Sequence, residues 1–212
     1  MIRALLRNLH APIYHRRVRV LAELIQQYVD DGGMVLDVGC GSGALAYLLQ
    51  QNSDRLGVNI RCLGLEKMPR GDEPIRVLPY DGEAFPFADK SVDLVILADV
   101  LHHEKNPSKL LGECFRVGRK SVVIKDHKIS GRFSYYRVCL LDWLANFGHR
   151  VPCLFDYFSL AEWRSFIGST CQIKKELLDL DLYPWGLNWF FGGDLHYFVV
   201  LSLDDLKADS PD

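Results

Sequence analysis

No pair among the six cysteines, Cys40, Cys62, Cys114, Cys139, Cys153 and Cys171, has the CxxC spacing of a zinc ribbon or a redox centre. Most lie inside apolar runs and read as buried free thiols, which points to a reducing, cytoplasmic compartment. No apolar stretch approaches the roughly 20 residues needed to span a bilayer. The first residues, MIRALLRNLHAPIYHRR, carry charge throughout and do not match a signal peptide; Ile2–Leu9 is read as packing on the domain rather than lying on a membrane. Basic surplus is also missing. With 25 Lys and Arg against 27 Asp and Glu, the formal charge of −2 leaves nothing to drive counterion release from nucleic acid. The cluster Arg16, Arg17 and Arg19 reads as a solvated helix face. At 212 residues, 49% of them hydrophobic, residues 1–212 are expected to form one α/β domain with a full core.

The most informative stretch present is MVLDVGCGSGALAYLL, from Met34 to Leu49. A short apolar run meets Gly39, Gly41 and Gly43, and a helical pattern follows. Such a strand–turn–helix unit presents unpaired backbone N–H groups and a positive helix end at the carboxyl edge of a sheet. A nucleotide-like cofactor is expected there.

Helical spacing covers Val18 to Val29, and further strands are expected at Asn59–Leu65, Ile75–Leu78, Val92–Leu97 and Ser121–Lys125. Helices are expected at Pro107–Val117, Phe133–Phe147 and Leu160–Ile167. The alternation implies a mostly parallel sheet covered on both faces. Only KMPRGDEP separates Glu66 from Ile75, too little for a normal crossover helix, so that crossover is shortened. Residues 127–157 form an insertion after the fifth strand and are read as a cap or lid over the ligand crevice, or as a dimerisation element. Cys171–Leu178 and His196–Leu203 read as antiparallel neighbours. The aromatic segment that joins them carries Tyr183, Trp185, Trp189, Phe190 and Phe191, for either core or pocket.

The glycine turn alone leaves two cofactor classes open. Gly39, Gly41 and Ala44 satisfy a dinucleotide spacing, and Glu66, at the end of the next strand, could take both ribose hydroxyls of NAD. Asp37 favours the other class. A carboxylate two residues before Gly39 suits the ammonium of an amino-acid tail and is poorly placed beside a pyrophosphate.

At these residues the chain resembles a known family. LDVGCGSG looks like motif I of the class I S-adenosylmethionine-dependent methyltransferases, LGLEKMP resembles their acidic second motif, and YDGEAFPFADKSVDLVILADVLHH resembles the segment through motif IV of the UbiE-like, methyltransferase type 11 small-molecule branch. FSLAEWRSFIG and HYFVVL resemble the late helix and the last strand. The resemblance implies a single Rossmann-like sheet of seven strands, the last antiparallel, with a helical insertion after strand five. It implies S-adenosyl-L-methionine as cofactor, with S-adenosyl-L-homocysteine as product. Asp37, Gly39, Cys40 and Gly41 would then face the methionine portion. Glu66 and Lys67 would lie at the ribose, Met68 against the adenine, and Asp81, Gly82 and Glu83 at the adenine edge. Asp99, Val100 and Leu101 would border the transferring methyl.

The acceptor side is less specific. His102 and His103 follow strand four, Asp126 and His127 follow strand five, and each is a candidate base at the edge where a substrate should lie. These four could also ligate a metal, but adjacent residues on one strand end point in different directions, and no metal is expected. Tyr135, Tyr136, Trp143, Phe147, Trp185 and Trp189 offer aromatic surface for a small, partly apolar methyl acceptor. Protein or nucleic-acid methylation is the runner-up, though no NPPY-type tetrapeptide closes strand four. A catalytically silent cofactor-binding or interaction module stays open, as does a homodimer.

Overall fold

The computed structural model describes residues 2–146, 153–168 and 171–204, with backbone only for 2–11 and 185. Seven strands form one sheet in the order β3-β2-β1-β4-β5-β7-β6. They are β1 (Met34–Val38), β2 (Arg61–Glu66), β3 (Arg76–Pro79), β4 (Val92–Ala98), β5 (Gly118–His127), β6 (Gln172–Leu177) and β7 (His196–Ser202). The first five are mutually parallel; β7 runs antiparallel between β5 and β6. From β1 the strand order runs one way through β2 to β3 and the other way through β4 to β5, so the carboxyl ends of β1 and β4 flank the switch point where α/β sheets bind ligands.

Alternation along the parallel strands divides the core. Leu36, Val38, Val95, Leu97, Val122 and Ile124 face α3 (Pro107–Val117) and α5 (Leu160–Ile167). Val35, Leu94, Ile96 and Val123 face α1 (Ile2–Gln26) and α2 (Ala44–Arg55). Helix starts follow local chemistry. The Asn106 side chain accepts from Lys109 N–H ahead of Pro107, and Ser159 and Glu162 form a reciprocal capping box for α5.

Expectation and structure differ in several places, among them α2, which is expected over Ala44–Leu49 and runs on to Arg55. The leading helix begins at Ile2, sixteen residues before Val18, and continues through the exposed Pro12. β5 extends past Lys125 because its ladder with β7 runs on to the His127–His196 pair. The aromatic joining segment is not all loop, since Trp185–Phe191 forms a short helix, α6. Arg17 is not on a solvated face; its side chain is 11% exposed and paired with Asp99, while Arg19 is exposed.

The β2–β3 crossover contains no helix; residues 67–75 are turn and bend. The missing cover comes from α1, whose Val18, Leu21, Ala22 and Ile25 pack beside α2 over the sheet, and from Ile75, which packs against the same cluster. The edge strand β3 stays half-covered. Among the described residues no helix is long and apolar enough to cross a membrane, and α4 (Arg132–Asn146) supplies the helical insertion after β5. Phe147 lies outside the described residues.

Because Ala22 is fully buried against the sheet, Ala22→Leu should overpack that face and cost about 1–3 kcal/mol in urea unfolding. Arg19→Ala on the exposed side of the same helix should stay within about 0.5 kcal/mol.

Candidate functional site

The glycine turn has the conformation its composition requires. Gly39, Gly41 and Gly43 all have left-handed backbones, with φ of 65°, 55° and 69°. A Cβ at Gly39 would lie 2.8 Å from a methyl of Val100, so β4's end packs directly on the turn. Gly39 and Cys40 N–H both donate to the Leu65 carbonyl, at 2.8 and 3.2 Å. Cys40 Sγ fills the space over Gly64, where a Cβ would come within 2.5 Å of it, and burial raises its thiol pKa.

Glu66 closes the turn from the side. One carboxylate oxygen accepts from Gly41 N–H at 2.9 Å and the other from Lys67 and Met68 N–H at 2.9 and 3.4 Å. The Lys67 ammonium then crosses to Glu104, at 2.6 and 2.8 Å from its two oxygens, passing against Gly82. Met68 is 65% exposed. Asp81 begins a turn, accepting from Glu83 N–H at 2.8 Å and from Ala84 N–H at 3.4 Å, and those backbone bonds lower its pKa. Direct contacts thus link the glycine turn to Glu66, Glu66 to Lys67, and Lys67 to Gly82, with the Asp81 turn next to it.

Asp37 is the unbalanced group. It is 2% exposed, and its Oδ2 has no hydrogen-bond partner among the described residues. Burial raises its pKa to about 7, with Ala46 N–H opposing and Glu66 adding to the rise. A buried carboxylate with one oxygen unserved beside three left-handed glycines fits a ligand that brings an ammonium and a carboxylate to the turn.

The β4 and β5 ends carry a buried ionic and aromatic cluster that includes the residues expected on the acceptor side. Asp99 has a left-handed backbone at φ 59°. Its carboxylate pairs with Arg17 at 2.7 Å and with the buried Lys125 ammonium. Burial opposes its ionisation, but Lys125 and Arg17 outweigh that and hold it well below the ordinary carboxylate range. Asp126 is fully engaged, accepting from His102 Nδ1 at 2.5 Å, His127 N–H at 2.6 Å and Leu101 N–H at 3.0 Å. Burial pulls the His102 pKa down, yet Asp126 and Asp142 raise it to about 10. His127 goes the other way. Burial, then Lys125, depress it to about 3, and its Nδ1 is buried with no partner. His196 is likewise depressed by burial, then by Lys125, and stacks on Tyr183 at 5.7 Å. His103 is the more open of the β4-end pair, with 16% of its side chain exposed.

The four expected acceptor-side residues thus meet, and Arg17, Lys125, Asp142, Tyr157, Tyr183 and His196 join them. Signals for some were available. Asp142 is the lone acid in the apolar run LLDWLA, and Lys125 interrupts the apolar strand SVVIK. The expected aromatic wall is only partly assembled. Tyr135 turns inward, 6.1 Å from the Tyr157 ring, whereas Tyr136, Trp143 and Trp189 are 68%, 46% and 84% exposed. Tyr183 is core. A surface hollow of about 500 Å³ lined by Arg16, Asp181, Asn188 and Trp189 shares no residue with the glycine turn.

Residues 36–124, which include the glycine turn and both strand ends beside it, match the family model described as a methyltransferase domain. The fold is that of the class I S-adenosylmethionine-dependent methyltransferases. A chain from the complex between the Haloferax volcanii Trm112 methyltransferase activator and a methyltransferase superposes with a TM-score of 0.66 over 94% of each chain, at 17% identity. Among curated proteins, the bifunctional methionine biosynthesis protein MetXA/MetW of Rhodopirellula baltica is 28% identical over 161 residues, 63% of this chain. The tRNA U34 carboxymethyltransferase of Methylococcus capsulatus is 32% identical over 102 residues, 43% of this chain. The matches span only 25% and 32% of those two proteins.

Folded Asp37 holds its proton up to about pH 7, against 3.8 for an ordinary aspartate. The folded state therefore binds more protons between those values, and the cofactor-free protein should lose stability as pH rises through that window. Asp37→Asn should remove this loss, raising Tm relative to wild type more at pH 8 than at pH 5 in thermal melts.

Proposed function

We propose that the protein transfers a methyl group from S-adenosylmethionine to a small, partly apolar acceptor held beneath α4. The observation that carries the cofactor half is the unserved Asp37 oxygen beside the glycine turn. In this reading Asp37 takes the ammonium of the methionine portion, while the turn of Gly39, Cys40 and Gly41 borders that portion. Glu66 and Lys67 lie at the ribose, Met68 covers the adenine, and Asp81, Gly82 and Glu83 meet its edge. The Lys67–Glu104 bridge has to swing aside as the nucleoside enters. Asp99, Val100 and Leu101 back the methyl, with Val100 fixed by Gly39 and Asp99 by Arg17 and Lys125.

The sulfonium supplies an activated methyl, so what the chain contributes is alignment and exclusion of water. Asp126 positions, because its bonds to Leu101 and His102 tie the β5 end to the chain leaving β4. His102, clamped by that carboxylate, positions with it. His127 is a neutral imidazole whose unpartnered Nδ1 can hydrogen-bond a polar group of the acceptor, and His103 is the more accessible of the neighbouring rings. The acceptor pocket draws its apolar wall from Tyr135, Tyr157 and Val138. Six cysteines with no disulfide among them suit a reducing, cytoplasmic setting.

Calorimetric titration should give saturable binding of S-adenosylmethionine and S-adenosylhomocysteine and none of NAD; the reverse pattern would sink the cofactor assignment. Asp81→Ala should weaken that binding at least about tenfold, equivalent to about 1.4 kcal/mol. For the acceptor half, His127→Ala should lower the methyl-transfer rate more than cofactor affinity. Equal loss in both would move His127 to the cofactor side.

A further inference from the structure

Two carboxylates face a pair of histidines beneath the cap, and the resulting atoms form more than a hydrogen-bond cluster. His102 Nε2 and His103 Nε2 each lie 3.6 Å from Asp142 Oδ1. One ligand atom from each of the three residues falls within 4.8 Å of the others. At 3.6 Å these are too long for hydrogen bonds, but they approach the edge of a tetrahedron around zinc, about 3.3 Å for bonds of 2.0–2.1 Å.

The atoms behind these three fix how each is presented. Asp126 takes the Nδ1 side of His102 at 2.5 Å, leaving Nε2 directed at Asp142. His102 is 7% exposed and that Nε2 has no hydrogen-bond partner among the described residues. Tyr157 donates to Asp142 Oδ2 at 2.7 Å, which turns Oδ1 toward the histidines. A carboxylate on the far nitrogen of a ligating histidine, and a hydrogen bond on the far oxygen of a ligating carboxylate, are the outer supports that metal sites use to fix tautomer and orientation. The Asn146 amide nitrogen stands 2.7 Å from Asp142 Oδ1 and 3.5 Å from His103 Nε2, where it serves the lone pairs a cation would take. His102 also lines a narrow crevice with Leu101, Glu104, Asp156, Phe158 and Trp163.

We propose that His102, His103 and Asp142 form a binding site for a divalent transition-metal ion of the zinc type, with Asp126 and Tyr157 as its outer supports. Two histidines and one carboxylate leave at least one coordination position open. The site lies between the β4 end and the underside of α4. Metal binding itself is independent of the methyl-transfer reading; only a role for the open position in holding an oxygen or sulfur of the acceptor rests on it.

The test uses the full chain with any affinity tag removed, stripped with chelator and titrated with Zn²⁺ and, as a spectroscopic probe, Co²⁺. One equivalent of each should bind, with Co²⁺ giving the visible absorption of a low-coordinate nitrogen–oxygen site. His103→Ala and Asp142→Asn should each abolish that band. Asp126→Asn, which changes only an outer support, should weaken affinity about 10–100-fold while keeping the band. Folding of each variant is checked by circular dichroism. No stoichiometric binding by folded wild type would overturn the site without recourse to any variant, and so would a Co²⁺ spectrum that survives His103→Ala and Asp142→Asn combined. Titrating the stripped protein with S-adenosylmethionine in parallel keeps a failure of the metal site distinct from a failure of the methyl-transfer reading.

Discussion

The carboxyl edge of the sheet depends on one charged contact, the Asp99 carboxylate between Arg17 of α1 and Lys125 of β5. Each cation is nearly buried, and neither could be without the anion, because an uncompensated interior charge costs several kcal/mol. The contact joins the first helix to β4 and β5 just where the chain leaves β4 through the left-handed Asp99. It also sets the character of its neighbours. Lys125 lies close enough to His127 and His196 to help burial keep both imidazoles neutral. Further out, where Asp126 and Asp142 dominate, His102 is pushed the opposite way. Three rings on one edge thus fall into two electrostatic settings, determined by which charge each one meets.

Periodicity and glycine placement made the parallel half of the fold legible. Pro107–Val117 and Leu160–Ile167 fall at the expected limits, and the shortened β2–β3 connection was visible from its eight residues and two prolines. Such features are local. Arg17 was not legible, because an arginine beside Arg16 and Arg19 carries no local sign that it will meet a carboxylate 82 residues away. The added length of β5 depends on a partner strand some 70 residues further on. Asp142 stood out as an acid in an apolar helix, but its neighbours are set by how the cap folds back on the β4 end.

The same division separates the two halves of the site. The proposed cofactor half is built from runs of residues at strand ends, and it lies within the segment that matches the family model. The proposed acceptor half draws on α1, α4, the stretch before α5 and the start of β7, much of it outside that segment. The two curated relatives are named for different activities, one for methionine biosynthesis and one as a tRNA carboxymethyltransferase. Variation in specificity on a common scaffold is expected where function is carried by the elements that overhang the crevice.

The helix-free hop from β2 to β3 also bears on how the chain folds. Parallel strands ordinarily pair only after a long crossover has closed, which makes them slow. Here nine residues, 67–75, bring Leu63 beside Arg76. The entropy of closing so short a loop is small, so this edge of a parallel sheet can form almost as locally as a hairpin. The glycine turn that packs against it through Ile75 and Glu66 would then be templated early, before the distant β7 and the cap arrive.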